Sequence, residues 1–187
     1  MRIVAGLWRG RSLAAPPMQP RGGEATRPTA DRVRQALFDM LLHAPWAGRD
    51  AVVGATVLDA FAGTGAVGLE ALSRGAAHAH FLERDRAALA ALRANIAALK
   101  APASVHPADA TRPPPGTPCS LVFLDPPYGQ GLIERALPAL AQAGWLAPAA
   151  LLVVETGRDE PLALPGDPLA ERPHGAARVT FLRWTGG

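Results

Sequence analysis

Two rhythms alternate along this chain. Continuous apolar runs, "ATVLDAF" (55–61), "HAHFLE" (78–83), "LVFL" (121–124) and "LLVVET" (151–156), lack the polar–apolar alternation of a half-solvated strand. They predict strands buried on both faces. Between them lie segments with apolar residues spaced three and four apart. "AVGLEALSRG" (66–75) predicts a helix that stops at Gly75, "DRAALAALRANIAALK" (85–100) a helix capped by Asp85, and residues 132–143 a third. "ASVHPADA" (103–110) reads as a short strand before the proline-rich loop "TRPPPGTP" (111–118). Strand–helix alternation of this kind predicts an open α/β sheet with right-handed crossovers. The tail "ERPHGAARVTFLRW" predicts a hairpin turning near Gly175, which adds antiparallel strands at one edge.

The start of the chain has another character. Residues 2–15 predict a hairpin turning around Arg9 and Gly10, and residues 16–28, rich in Pro, Gly and Arg, a loop. Thr29 is expected to cap a helix carrying Val33, Ala36, Leu37, Met40 and Leu41 on one face. No internal repeat is present. Residues 1–187 are expected to form one domain, with a hairpin-and-loop arm (1–28) ahead of a helix and an α/β core (29–187).

Composition narrows the class. With 49% hydrophobic residues in 187, the chain can bury a sizeable core and does not resemble a disordered segment. No apolar run approaches the ~20 residues of a membrane span. Scattered arginines in "MRIVAGLWRGRSLAAP" make a poor signal peptide, so a cytoplasmic protein without membrane attachment is expected. The single cysteine, Cys119, excludes an internal disulfide and a cysteine zinc cluster. The five histidines (43, 78, 80, 106, 174) lack metal-ligand spacing, so no metal is expected; they read as surface or packing residues. Trp8, Trp46, Trp145 and Trp184 are scattered and read as packing anchors.

Charge changes the picture at the arm. Residues 1–35 hold seven arginines (2, 9, 11, 21, 27, 32, 34) against Glu24 and Asp31, a balance of +5, while the remainder carries −2. A basic arm on a slightly acidic body points to a polyanionic partner. The choice of eighteen Arg over one Lys fits a GC-rich genome, but it does not explain where the bases sit.

Candidate chemistry sits at two strand ends. In "LDAFAGTGAVGLEAL", Gly63, Gly65 and Gly68 fit G-x-G-x-x-G, and Glu83 follows at the end of the next strand. That is the fingerprint of dinucleotide binding, and a nicotinamide or flavin enzyme is a rival reading. Asp59 separates the possibilities, because a pyrophosphate beside that carboxylate would be repelled whereas a ligand carrying ammonium and sulfonium groups would be attracted. An Asp59 that only caps backbone amides is the plainer alternative.

In "LVFLDPPYGQG" a buried run meets two prolines that cannot donate to a sheet ladder, giving a stiff corner that holds Asp125 and Tyr128. If the glycine-loop strand is first and this strand fourth, both flank the point where strand order reverses and share one crevice.

With both motifs in place the chain resembles the class I S-adenosylmethionine-dependent methyltransferases. D-P-P-Y matches the branch that methylates planar exocyclic nitrogens. More narrowly, "RIVAGLWRGRSL", "TRPTADRVRQALFDML", "VLDAFAGTGAVGLEALSRGA", "FLERD" and "VFLDPPYGQGL", in that order, resemble the RsmD family. The resemblance covers nearly the whole chain, most weakly 101–118 and 157–172. It implies a Rossmann-like fold, with a mostly parallel seven-stranded sheet, helices on both faces and an N-terminal β-hairpin and helix.

The implied activity is methylation of the N2 amine of guanine 966 in bacterial 16S ribosomal RNA. The implied cofactor is S-adenosyl-L-methionine, leaving S-adenosylhomocysteine. By the same resemblance, Asp59 and the backbone of Ala62, Gly63, Thr64 and Gly65 hold the methionine part of the cofactor. Glu83 would hold its ribose hydroxyls, and Asp109 would lie near the adenine amine. Asp125 and the Pro126 carbonyl accept the guanine amine, Pro127 stiffens the corner, and Tyr128 stacks on the flipped base. Thr29, Asp31 and Arg34 border cofactor and RNA, joined by Arg9, Arg11 and Arg27 as RNA contacts.

The expected partner is 16S RNA in the assembled small subunit, whose preformed surface compensates for a short enzyme, with no obligate protein partner. Three other readings stand beside this one. A DNA adenine or cytosine methyltransferase usually carries an added target-recognition region, for which this chain has little room. A protein glutamine methyltransferase more typically has Asn where Asp125 stands. The third is a catalytically silent RNA-binding protein that uses the arginine arm alone.

Overall fold

The computed structural model describes residues 1–16, 27–47, 49–161, 163, 165 and 168–186, with 27–30 and 49 described by backbone alone. Most of the expected loop 16–28 therefore lies outside the described residues, as do the side chains of Arg27 and Thr29. Among the described residues, seven strands and four α-helices follow one another along the chain. They are α1 (Arg27–His43), β1 (Thr56–Asp59), α2 (Ala66–Ser73), β2 (His78–Glu83), α3 (Arg86–Leu99), β3 (Ala103–Pro107), β4 (Cys119–Leu124), α4 (Leu132–Gln142), β5 (Leu146–Gly157), β6 (Pro168–His174) and β7 (Ala177–Arg183).

They form one sheet of order β3-β2-β1-β4-β5-β7-β6. The first five strands pair in parallel, and β7 and β6 join antiparallel at one edge. Strand order reverses between β1 and β4, the expected switch point. The continuous apolar runs have a plain cause. Val57, Phe123 and Val153 face the core that Phe38 of α1, Leu69 of α2 and Leu92 of α3 close. Their neighbours Leu58, Val122 and Val154 face a second core closed by Ile133, Leu137 and Leu140 of α4 with Trp145. Each such side chain contributes about 1.5–3 kcal/mol by leaving water.

Asp85 caps α3 as expected, accepting from Ala88 N at 2.8 Å. The glycines of the β1–α2 turn serve close approach. Gly65 has φ 82°, and a Cβ at Gly68 would lie 2.4 Å from the Phe81 ring, so only glycine lets α2 settle on β2.

Three expectations need correction. Helix α1 begins at Arg27, so Thr29 lies within its first turn rather than at its cap; Pro28 is tolerated there because first-turn N–H groups have no helical partner. The N-terminal hairpin pairs only briefly, at the Arg2–Ser12 bridge, with Ile3 N donating to Arg11 O at 2.9 Å. Its turn is the broader stretch between them, which folds down onto α2: Leu7 N donates to Ser73 O at 2.7 Å, and Trp8 N to Ser73 Oγ at 2.9 Å. Strand β5 starts at Leu146, earlier than "LLVVET", with Ala149 at φ 55° and a register shift opposite Cys119–Leu121 absorbing the extra residues.

The histidines of the β2–β3 edge do pack. His80 is buried, its Nδ1 is 3.3 Å from His106 Nε2, and Trp145 meets both rings edge-on. Burial, then the neighbouring His78 and His106, lowers the His80 pKa to about 4. No helix among the described residues is long and apolar enough to cross a membrane.

Candidate active site

At the reversal of strand order, the carboxyl ends of β1, β4 and β5 open into a cavity of about 280 Å³. Its walls are Asp59 and Phe61 to Thr64 from the β1–α2 turn, Ala66 and Val67 of α2, and Phe123 to Asp125 of β4. Val153 and Glu155 of β5 and the covering side chains Met1 and Leu37 complete it. The two motifs seen in the sequence therefore share one crevice. Three acids line it, and no Arg, Lys or His among the described residues does.

Asp59 combines two roles. Its Oδ2 accepts from Gly68 N at 3.1 Å, capping the first turn of α2, while the residue lines the cavity. Burial raises its pKa to about 7, against the lowering effect of the Gly68 amide and with a further push from Glu83. Glu83 holds the glycine turn, accepting from Gly63 N at 2.7 Å, Arg84 N at 2.8 Å and Asp85 N at 2.7 Å. The carbonyl of Thr64 is fixed from behind by Asn95 Nδ2 at 3.0 Å.

Asp125 follows directly on β4 at the cavity mouth, where water still reaches it. Desolvation in the crevice, then the charges of Glu155 and Asp59, push its carboxyl upward. Pro126 is buried and Pro127 exposed, so the corner is anchored on one side. Tyr128 keeps 44% of its surface exposed. Its hydroxyl donates to Glu155 Oε1, and burial followed by that bond raises the phenol's pKa. Beyond it, Glu160 accepts from Gly129 N at 3.0 Å and Gly157 N at 3.1 Å, tying the corner to the end of β5.

Other expected site residues lie elsewhere. Asp109 is engaged away from the cavity: Thr111 N at 2.9 Å, Thr111 Oγ1 at 2.8 Å and Arg84 Nη1 at 2.9 Å donate to it, and together they lower its pKa, the Thr111 amide most. Arg34 is buried. It donates to Asp31 at 2.9 Å and to the Arg2 carbonyl, and pairs with Glu70 at 3.4 Å. Asp31 and Arg34 thus fasten α1 to the arm. Arg9 and Arg11 are exposed, as an RNA contact requires.

Glu155 and Glu160 were not singled out in the sequence. The signal for Glu155 was present, since it is an acid near the carboxyl end of a buried run, as Asp59, Glu83 and Asp125 are. No motif flanks it.

Comparison with known proteins finds relatives over most of the chain. Residues 1–181 match the family model described as "Conserved hypothetical protein 95". "Ribosomal RNA small subunit methyltransferase D" of Escherichia coli (strain K12) is 46% identical over 159 residues, covering 83% of this chain and 74% of that protein. The protein of the same name from Haemophilus influenzae is 39% identical over 172 residues, covering 88% and 83%. Among solved structures, yhhF from Escherichia coli superposes with a TM-score of 0.80 at 39% identity, covering 98% of this chain and 97% of that one. TrmN from Thermus thermophilus gives 0.63 at 27% identity, covering 81% and 48%.

Proposed function

The chain belongs to the RsmD family of small-subunit ribosomal RNA methyltransferases, and from that premise we propose that it methylates the exocyclic N2 of a guanine in 16S ribosomal RNA. The donor is S-adenosyl-L-methionine and the product S-adenosylhomocysteine. The observation that carries this reading is one acid-lined cavity shared by Asp59, the glycine turn and Asp125 of the DPPY corner.

The residues present fit a cationic cofactor. A carboxyl whose pKa burial has raised to about 7 returns to its ionised form beside a positive charge, whereas the phosphates of a redox dinucleotide would meet three acids. Asp59 and the Ala62–Gly65 backbone would hold the amino-acid part, and Glu83 the ribose. When bound, the cofactor supplies an electrophilic methyl group on a sulfonium.

The chain's own contribution is position and charge. The lone pair of a guanine amine is delocalised into the ring and is a poor nucleophile. Asp125 and the Pro126 carbonyl accept its two hydrogens and hold the nitrogen in one orientation, made rigid by two prolines. As the nitrogen gains positive charge, the Asp125 carboxylate stabilises it. The departing proton passes to Asp125 or to water, and no stronger base is required. Tyr128 offers its exposed face to the extruded base, where stacking contributes ~1–3 kcal/mol. The assembled small subunit is the natural substrate, because the described exposed arginines of the arm, Arg2, Arg9 and Arg11, form a small contact that a folded ribosomal surface would have to orient. The reaction belongs to the cytoplasm.

The test is to incubate the protein with methyl-labelled cofactor and small subunits from an unmethylated strain, beside free 16S RNA, DNA and protein. Digestion should recover the label as N2-methylguanosine, with subunits preferred over free RNA. Label on adenine, cytosine, DNA or protein would overturn the substrate; no label on any of them would favour a silent RNA-binding protein.

A further inference from the structure

Resting on the guanine-N2 reading, we propose that Glu155 determines base specificity by accepting the ring N1–H of guanine beside the amine held at Asp125. Strand register brings the two acids together. Leu124 of β4 pairs with Val154 of β5 in the parallel ladder, so Asp125 and Glu155 are the next residues on adjacent strands. Both line the same cavity, and the charge of Glu155 reaches Asp125.

The side chain is already oriented. The Tyr128 hydroxyl donates to Oε1, while Oε2 accepts no hydrogen bond from the described residues. Glu160 fixes the backbone on either side of the pair, at Gly129 and Gly157. In this proposal a base stacked on Tyr128 turns its edge towards the two neighbouring acids, one of which the Tyr128 hydroxyl already holds.

Nucleobase chemistry then selects. The guanine amine is flanked by N1–H, a donor, so its edge offers adjacent donors to adjacent acceptors. The amine of adenine is flanked by the N1 lone pair and that of cytosine by N3. Either would set a lone pair against the Glu155 carboxylate, a repulsive contact that rejects the wrong base. Asp125 alone cannot make this distinction, since all three bases carry an amine. Anchoring of Tyr128 by itself would not make it either.

The experiment uses 16S RNA carrying 2-aminopurine at the mapped target guanine. That base keeps the N2 amine and replaces N1–H by a lone pair. The wild-type protein is expected to favour guanine by roughly 100-fold or more in kcat/KM, because a site built for a donor is left unpaired by its absence. Glu155→Gln, whose amide N–H can face a lone pair, should narrow that ratio at least about tenfold. Equal rates of the wild-type protein on both bases would overturn the inference without any variant. So would an E155Q protein that slows on both bases in proportion, which is what simple anchoring of Tyr128 predicts. A wild-type protein that methylates no guanine amine would instead remove the functional reading on which the inference rests.

Discussion

Asp125 and Asp59 face the same cavity with pKa values pushed upward, but they are asked for different things. Asp125 meets the nucleophile. Its replacement by Ala should lower kcat by roughly 10²–10³-fold, the scale of a lost transition-state charge contact, with cofactor affinity within a few-fold by calorimetry. Equal losses of rate and cofactor affinity would assign it to the wrong ligand. Asp59 meets the cofactor, and there the sign of the pH effect is fixed. Its pKa rises from 3.8 to about 7 on folding, so ionisation destabilises the unliganded protein as pH climbs through that interval. Binding of a cation requires the ionised form and so releases a proton. Cofactor affinity should therefore increase between about pH 5.5 and 7.5, and Asp59→Asn should flatten the rise. An affinity that falls over this range would contradict the assignment. At this scale, acids beside glycine or proline motifs were legible in the sequence because the motif declares a strand end. Glu155 carries only the weaker signal of an acid closing a buried run, and the β4–β5 register is what brings it beside Asp125. Arg34 and Asp109 show the converse: their partners, Glu70 and Arg84, are chosen by tertiary packing.

Among the elements, the joint between the arm, α1 and α2 is built on one buried acid. Glu70 accepts from Val4 N at 2.8 Å, Ala5 N at 2.9 Å and Arg74 Nε at 2.8 Å, and pairs with Arg34 at 3.4 Å. The Arg74 guanidinium also lies 4.8 Å from the Phe38 ring centre. Replacing Glu70 by Ala takes one of two acids from each of two buried guanidiniums, leaving Arg34 with Asp31 and Arg74 with Asp39, and strips the acceptor from two arm amides; it should cost about 3 kcal/mol. Thermal melting would show it as a lower midpoint, with early proteolysis in residues 2–15. An unchanged midpoint would mean the arm is held by other contacts. The strand and helix order was readable because each run had the right period and an end signal. The hairpin is shorter than its composition implies: "RIVAGLW" has strand composition, but its polar backbone turns aside to meet Glu70 and Ser73, partners some 65 residues away.

For the whole molecule, charge is divided between a basic arm and an acidic crevice. The crevice repels phosphate and the arm attracts it, so RNA is expected to be held by its backbone outside and to present only a base within. Replacing both Arg9 and Arg11 by Ala should weaken RNA binding and reduce the slope of log affinity against log salt by roughly 1–2. Unchanged affinity at low salt would place the RNA on another face. Everything at the site turns on what occupies the cavity at the β1–β4 reversal. A crystal structure with S-adenosylhomocysteine measures this most directly. It should show the ligand's ammonium beside Asp59 and its sulfur turned towards the Asp125–Pro126 corner; a ligand seated outside this cavity, or one that leaves Asp59 without contact, would contradict it.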